Sequence, residues 1–264
     1  MKTILVPTDF SPSAGNAMNY AAELAQMIGA SLLLVHVYQI PISMNDVPVL
    51  MVSAEELRNT ADKGLERCRE DLRKRFSTVE IKTESRLGDV VEELKDLCQQ
   101  VNPFAIIVGK HGASGVERFL FGSTTQSIIR HLSYPVVSVP ESTTSFQLNH
   151  IALAIDAADT SLQENRIREF LQSLQTQLHV VHIREGGKDS PALKSVLKDM
   201  HPVYETIKNH EFVHGIEHYV QSRSIDLLMI LPHKHSFIER LFFKTHTAEL
   251  IEKLRVPIVC IPEA

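Results

Sequence analysis

Four residues set the first question: Gly109, Gly112, Gly122 and Ser123, in the spacing Gly-x2-Gly-x9-Gly-Ser, with Thr124 next in line. The first of them ends a short apolar run from Phe104, and Ser123 opens a helix-like segment that runs to His131. Glycines just after a strand let backbone come close to a ribose or a phosphate with no Cβ in the way. A helix that begins at Gly122-Ser123 turns unpaired N–H groups and the positive end of its dipole toward an anion. A glycine-rich turn followed by a serine N-cap has the same local pattern, so spacing alone leaves both readings open. Asp9, after the first apolar run, is either a ligand-facing carboxylate or a turn residue leading to a cap at Ser11. Lys110 and Arg118 are either phosphate neutralisers or solvated loop charges. No Gly-x4-Gly-Lys-Ser/Thr loop, no Gly-x-Gly-x-x-Gly after the first strand and no Gly-x-Ser-x-Gly elbow occurs.

The elements that must position these residues follow from pattern. Thr3 to Val6 reads as a strand, and Ser11-Pro12 opens a helix that stops at Gly29. Ser31 to Tyr38 is almost continuously apolar, as a parallel strand buried on both faces is. Ser53-x-x-Glu56 is a capping box for a long helix to about Phe76. Its charge run, Arg67 to Arg75, mixes both signs and reads as a solvated helix face. Val79 to Ser85 is a strand, Asp89 to Gln100 a helix, Phe104 to Gly109 a strand, Ser123 to His131 a helix, and Pro135 to Pro140 a strand. Strand and helix in alternation predict an α/β fold with a parallel sheet.

A polar linker at 141–149 separates this unit from a second copy of itself. Ile4 to Asp9 is echoed by Ile151 to Asp156, and Val35-His36-Val37 by Val181-His182-Ile183. Phe104 to Phe121 aligns without a gap to Asp226 to Phe243, sharing His111/His233 and Glu117-Arg118/Glu239-Arg240. The chain is a tandem duplication, with domains expected at 1–141 and 150–264. The second copy is shorter, with a reduced second helix expected around Ala192 to Met200. It carries Leu231, Lys234 and Lys244 in place of the three glycines, keeps Thr245 at the serine position, and has Asp156 matching Asp9 and Ile155 matching Thr8. Leucine bulk and two lysines in the room that backbone needs predict a retired site with a structural role.

Composition narrows the class. The 264 residues are 44% apolar and carry a net charge of -5, against a general nucleic-acid binder. Cys68, Cys98 and Cys260 are odd in number and widely spaced, which excludes a disulfide framework and fits a reducing compartment. No apolar stretch approaches the roughly 20 residues of a membrane span, and the N-terminus lacks a signal peptide's pattern, so a cytoplasmic protein is expected. Ten of the 13 histidines lie from His150 onward. His210, His214 and His218 share a helix face at i, i+4, i+8, a spacing that suits a metal but more simply makes a polar face, and Gly215 weakens that helix. His36 and His182 read as hydrogen-bonded residues at strand ends.

The opening Ile-Leu-Val-Pro-Thr-Asp with Ser11, the Leu-Leu-Leu-Val-His-Val strand and the stretch Ile106 to Pro140 together resemble the universal stress protein family, in the branch similar to its ATP-binding members. The likeness covers the whole chain as two family units in series. It implies Rossmann-like domains with strand order 3-2-1-4-5 and a ligand between strands 1 and 4, where the order reverses. It also implies a site in which Pro7, Thr8 and Asp9 border adenine and ribose, and Val37, after the second strand, offers its backbone to the adenine. Gly109, His111 and Gly112 then lie against ribose and phosphates, and Gly122, Ser123 and Thr124 hold the phosphates. The implied ligand is ATP, with ADP or AMP as alternatives and Mg2+ as a companion ion. Only Asp9 and His111 suit acid–base or metal work, short of what hydrolysis requires. The expected role is therefore a regulatory or protective stress-response module rather than an enzyme. A nucleotide-independent scaffold for protein partners and a weak ATPase are the alternatives. Pairing of the two fifth strands predicts a pseudo-twofold dimer within one chain, with a homodimer as a further arrangement.

Overall fold

The computed structural model describes residues 1–40, 53–110, 122–143, 145–155, 164–184, 197–208, 212–231 and 254–262. In the first half these form β1 (Thr3–Pro7), α1 (Pro12–Ile28), β2 (Ser31–Tyr38), α2 (Ala54–Arg75), β3 (Ile81–Leu87), α3 (Val90–Val101), β4 (Ala105–Gly109), α4 (Ser123–His131) and β5 (Val136–Val139). The second half supplies β6 (His150–Ile155), α5 (Glu164–Gln172), β7 (Gln177–Arg184), β8 (Val203–Lys208), α6 (Phe212–Ser222), β9 (Leu227–Ile230) and β10 (Ile258–Cys260). Of the span Ala192 to Met200, where a reduced helix is expected, the described residues hold a 3-10 turn, Lys198–Met200; residues 185–196 lie outside them.

Helix ends sit where local chemistry sets them. Ser11 Oγ accepts the Ala14 N–H at the start of α1, and Gly29, at φ 64°, closes it in the left-handed conformation that glycine adopts without strain. The Ser53/Glu56 box closes reciprocally at the start of α2. Its mixed charges lie on a largely exposed face, with Lys74–Asp71 and Arg69–Glu66 pairs one turn apart, while Ala61, Leu65 and Leu72 face the core. Gly215 does not interrupt α6. It lets the helix close on β8, where a Cβ would lie 2.5 Å from Ile207 Cγ2.

All ten strands join one sheet, ordered β3-β2-β1-β4-β5-β10-β9-β6-β7-β8. Each half therefore runs 3-2-1-4-5, and the two orders are mirror images across the β5–β10 seam. That seam is antiparallel, with Val136 opposite Cys260 and Ser138 opposite Ile258, while every other pairing is parallel. This is the expected pseudo-twofold pairing of fifth strands. Two apolar layers cover the sheet. On one face α1, α2 and α5 pack over Ile4, Leu34, Ile107, Val139, Leu153 and Met229. On the other, α3, α4 and α6 pack over Leu5, Leu33, Ile106, Val108 and Ile230. Both layers cross the seam, where Phe104 stacks on Phe170 with ring centroids 5.2 Å apart.

Candidate functional site

At the carboxyl end of the first half's sheet, β1 parts from β4 beyond their pairing of Ile4 with Ala105 and Leu5 with Ile106. A crevice with a cavity volume of about 160 Å3 opens there. Eight of the ten residues picked out by sequence line it: Pro7, Thr8, Asp9, Val37, Gly109, Gly122, Ser123 and Thr124. His111 and Gly112, with Arg118, fall outside the described residues.

The wall from α4 is the polar one. Helices α1, α2 and α3 are each capped by a side chain: Ser11, Ser53 with Glu56, and Asp89. Helix α4 starts at Gly122 with no side-chain cap. Its first backbone bond runs from Gln126 N–H to the Gly122 carbonyl at 2.9 Å. By helix geometry the N–H groups of Ser123, Thr124 and Thr125 then have no intrahelical acceptor. Ser123 and Thr124 are exposed and face the crevice. Beneath them, Thr125 Oγ1 donates to the Gly109 carbonyl at 3.3 Å, and Gly122 N–H donates to the Lys110 carbonyl at 3.0 Å. These two bonds fix the helix start against the end of β4. N–H groups without an intrahelical acceptor, two hydroxyls and a helix dipole are features that suit an anion.

Across the crevice, Thr8 N–H extends the sheet by one bond to the Val35 carbonyl, 2.8 Å away. Asp9 lines the crevice, and its Oδ1 accepts the Ser11 N–H at 3.0 Å, holding the turn into α1 as expected of a turn residue. It is the one carboxylate among the described lining residues. His36 is hydrogen-bonded, its Nδ1 lying 2.7 Å from the Thr8 carbonyl.

One expectation differs from the structure. Val37 lies within β2 rather than after it, opposite Arg86 of β3. Alternate residues of a strand address the same neighbour. Val35 bonds to Thr8, so Val37 turns its N–H and carbonyl to the same side, past the end of β1 and over the crevice. Gly109 lines the crevice, and its missing side chain also makes room for α1. A Cβ there would lie 2.5 Å from Ser13 Oγ and 2.8 Å from the Ser13 carbonyl carbon and oxygen.

The model of the universal stress protein family matches residues 1–140. This chain belongs to that family. It is 26% identical to universal stress protein MJ0577 of Methanocaldococcus jannaschii over 52% of this chain and 94% of that protein. Universal stress protein Slr1230 of Synechocystis is 24% identical over 98% of this chain and 99% of its own length. A universal stress protein crystal structure from Archaeoglobus fulgidus covers 99% of this chain and 98% of its own, with a TM-score of 0.70 at 16% identity, a likeness of fold.

In the second half of the chain, Leu231 takes the position that matches Gly109 in sequence. It is 2% exposed, in the apolar layer under α5, the volume that in the first unit belongs to α1. Ile155 is likewise fully buried. Asp156, Lys234, Lys244, Thr245 and His210 fall outside the described residues; His218 is exposed on α6, and no group of three metal-ligating side chains occurs among the described residues. Sequence reasoning missed the apolar lining of the first crevice, Ala14, Val35, Val90, Val108 and Ile128. Nothing in composition separates such residues from ordinary core. Thr125 was findable, as the buried hydroxyl that anchors α4 to Gly109.

Proposed function

We propose that the chain binds one adenine nucleotide, ATP with ADP or AMP as alternatives, in the crevice between β1 and β4. We propose further that it works in the cytoplasm as a regulatory or protective stress-response module. The observation that carries this reading is the uncapped start of α4 facing the crevice, in a chain whose other three first-half helices are capped by side chains. The phosphates rest on the N–H groups and hydroxyls of Ser123 and Thr124, joined by His111 and Gly112 of the preceding loop. Asp9, beside Pro7 and Thr8, takes the ribose hydroxyls, and the Val37 backbone supplies one donor and one acceptor to the adenine edge. Any Mg2+ arrives with the phosphates, since Asp9 alone is a weak cation site. Among the described residues the site has one carboxylate and no assembled acid–base pair, which favours holding nucleotide over turning it over.

The family domains run 1–141 and 150–264, and the second braces the first across the seam. Binding to the native state alone raises its stability with ligand concentration, which gives the module a readout of nucleotide level. Titration of the whole chain with ATP, beside a Gly122→Val variant, tests the reading: binding lost in the variant supports it, and equal affinity or none in either protein overturns it.

A further inference from the structure

Phe10 follows Asp9 with φ at 63°, in the left-handed region that a bulky L-residue rarely enters. Such strain persists where surrounding structure over-determines it, and it collects at ligand sites. Burial does not account for it, because the side chain is 39% exposed. Three contacts hold the residue in place. Its N–H donates to Thr8 Oγ1 at 3.0 Å. Its ring lies against the His36 imidazole, centroids 4.4 Å apart and tilted by 33°. The tip of the ring occupies the space over Gly64 of α2, where a Cβ would lie 2.6 Å from Cζ. His36 also grips the Thr8 carbonyl, so the imidazole ties the ring and the turn into one unit. Glycine inside a helix is disfavoured relative to alanine, and the Phe10 ring gives Gly64 its reason.

We propose that Phe10, clamped between His36 and Gly64, is a positioning residue for the nucleotide site, fixing the left-handed turn that sets Thr8 and Asp9 at the crevice mouth. The clamp couples α2, which does not line the crevice, to nucleotide affinity. Without the ring, residue 10 relaxes toward negative φ, the chain leaves β1 in another direction, and the Asp9 carboxylate is re-aimed. This inference rests on the nucleotide-binding reading given above.

The experiment is ATP titration of the full chain as wild type, Phe10→Ala, Phe10→Gly, Gly64→Ala, Asp9→Ala and the doubles F10A/G64A and D9A/F10A, each with a thermal melt. Phe10→Ala is expected to weaken binding roughly tenfold, the factor that corresponds to one left-handed non-glycine residue released from its clamp. Phe10→Gly loses less, because glycine takes φ near 63° freely, and this ordering opposes the usual advantage of alanine in stability. Gly64→Ala weakens binding without lowering the melting temperature, since alanine favours the helix and the ring is what moves. It has no further effect in F10A, and F10A has none in D9A, as residues acting through one unit are non-additive. Wild-type affinity in both F10A and G64A, or losses that add independently, overturns the positioning role and leaves the nucleotide reading standing. A wild-type chain that binds no ATP overturns both.

Discussion

Gly109→Ala separates two reasons for a glycine at the heart of the motif. If the glycine served ligand approach alone, a methyl group would weaken binding and leave stability unchanged or slightly improved. The geometry says otherwise, since the new Cβ lands 2.5 Å from Ser13 Oγ and 2.8 Å from two Ser13 backbone atoms. Alanine gains about 0.5–1 kcal/mol over glycine in a strand by losing less backbone freedom on folding. Overpacking a close-packed site costs about 1–3 kcal/mol, with the upper part expected here because a helix backbone cannot rotate aside. The net is a loss of about 1–2 kcal/mol, or a fall in Tm of about 2–8 °C for a chain of this size. Urea denaturation followed by far-UV circular dichroism measures it, the chain having no tryptophan for fluorescence. Ser13→Ala in the same chain removes the 2.5 Å contact and leaves the two at 2.8 Å, so it restores part of the loss. Wild-type stability for Gly109→Ala, or complete rescue by Ser13→Ala, would refute the reasoning.

Ser123→Glu places a carboxylate in the first turn of α4, where the helix dipole favours it by about 0.3–1 kcal/mol; thermal melts should show no loss of stability while ATP affinity falls at least about tenfold, from charge repulsion at a phosphate site. Phe170→Ala removes a 2%-exposed ring stacked on Phe104 across the seam and should cost about 3–5 kcal/mol, read by the same denaturation, with loss under about 1 kcal/mol contradicting the shared core. His179 is 4% exposed, its Nδ1 2.9 Å from Tyr219 Oη and its Nε2 3.2 Å from His150 Nδ1. Burial first, then the positive charges of His150 and Arg223, hold its pKa below the ordinary imidazole value. The unfolded chain takes up that proton near pH 6.5, before the folded chain does, so stability falls as pH drops from about 7 toward the folded value. Restoring the first half's apolar pair with H179L/Y219F should make that acid slope shallower, and an unchanged slope would sink the assignment.

Much of the fold was legible because its signals are local. Ser11-Pro12, the Ser53/Glu56 box, Asp89 and Gly29 mark helix ends through bonds made within four residues. The run from Ser31 to Tyr38 needs no partner to be read as a buried strand. The 3-2-1-4-5 order came instead from resemblance, since a strand's neighbours are chosen by contacts distant in sequence. At the site, spacing found the polar rim and resemblance placed it, but reasons that depend on another element stayed hidden. Gly109 is small because of Ser13 on α1, Gly64 because of Phe10, and Gly215 because of Ile207, and in each case the partner lies far along the chain. The left-handed backbone at Phe10 has no signature, as aromatic residues ordinarily avoid it. The His150–His179–Tyr219 chain was unreadable for a similar reason: Leu33 and Leu97 hold the positions matching His179 and Tyr219 in the first half, and only pairing across β6, β7 and α6 shows that the polar substitutes satisfy one another.

Isothermal titration of the full-length chain with ATP tests the central claim most directly. One binding event per chain is expected, weakened at least about tenfold by Ser123→Glu and left in place by Lys244→Ala in the second half. No heat of binding at millimolar ATP, a stoichiometry of two, or a site whose affinity is unchanged by Ser123→Glu and lost with Lys244→Ala would contradict it.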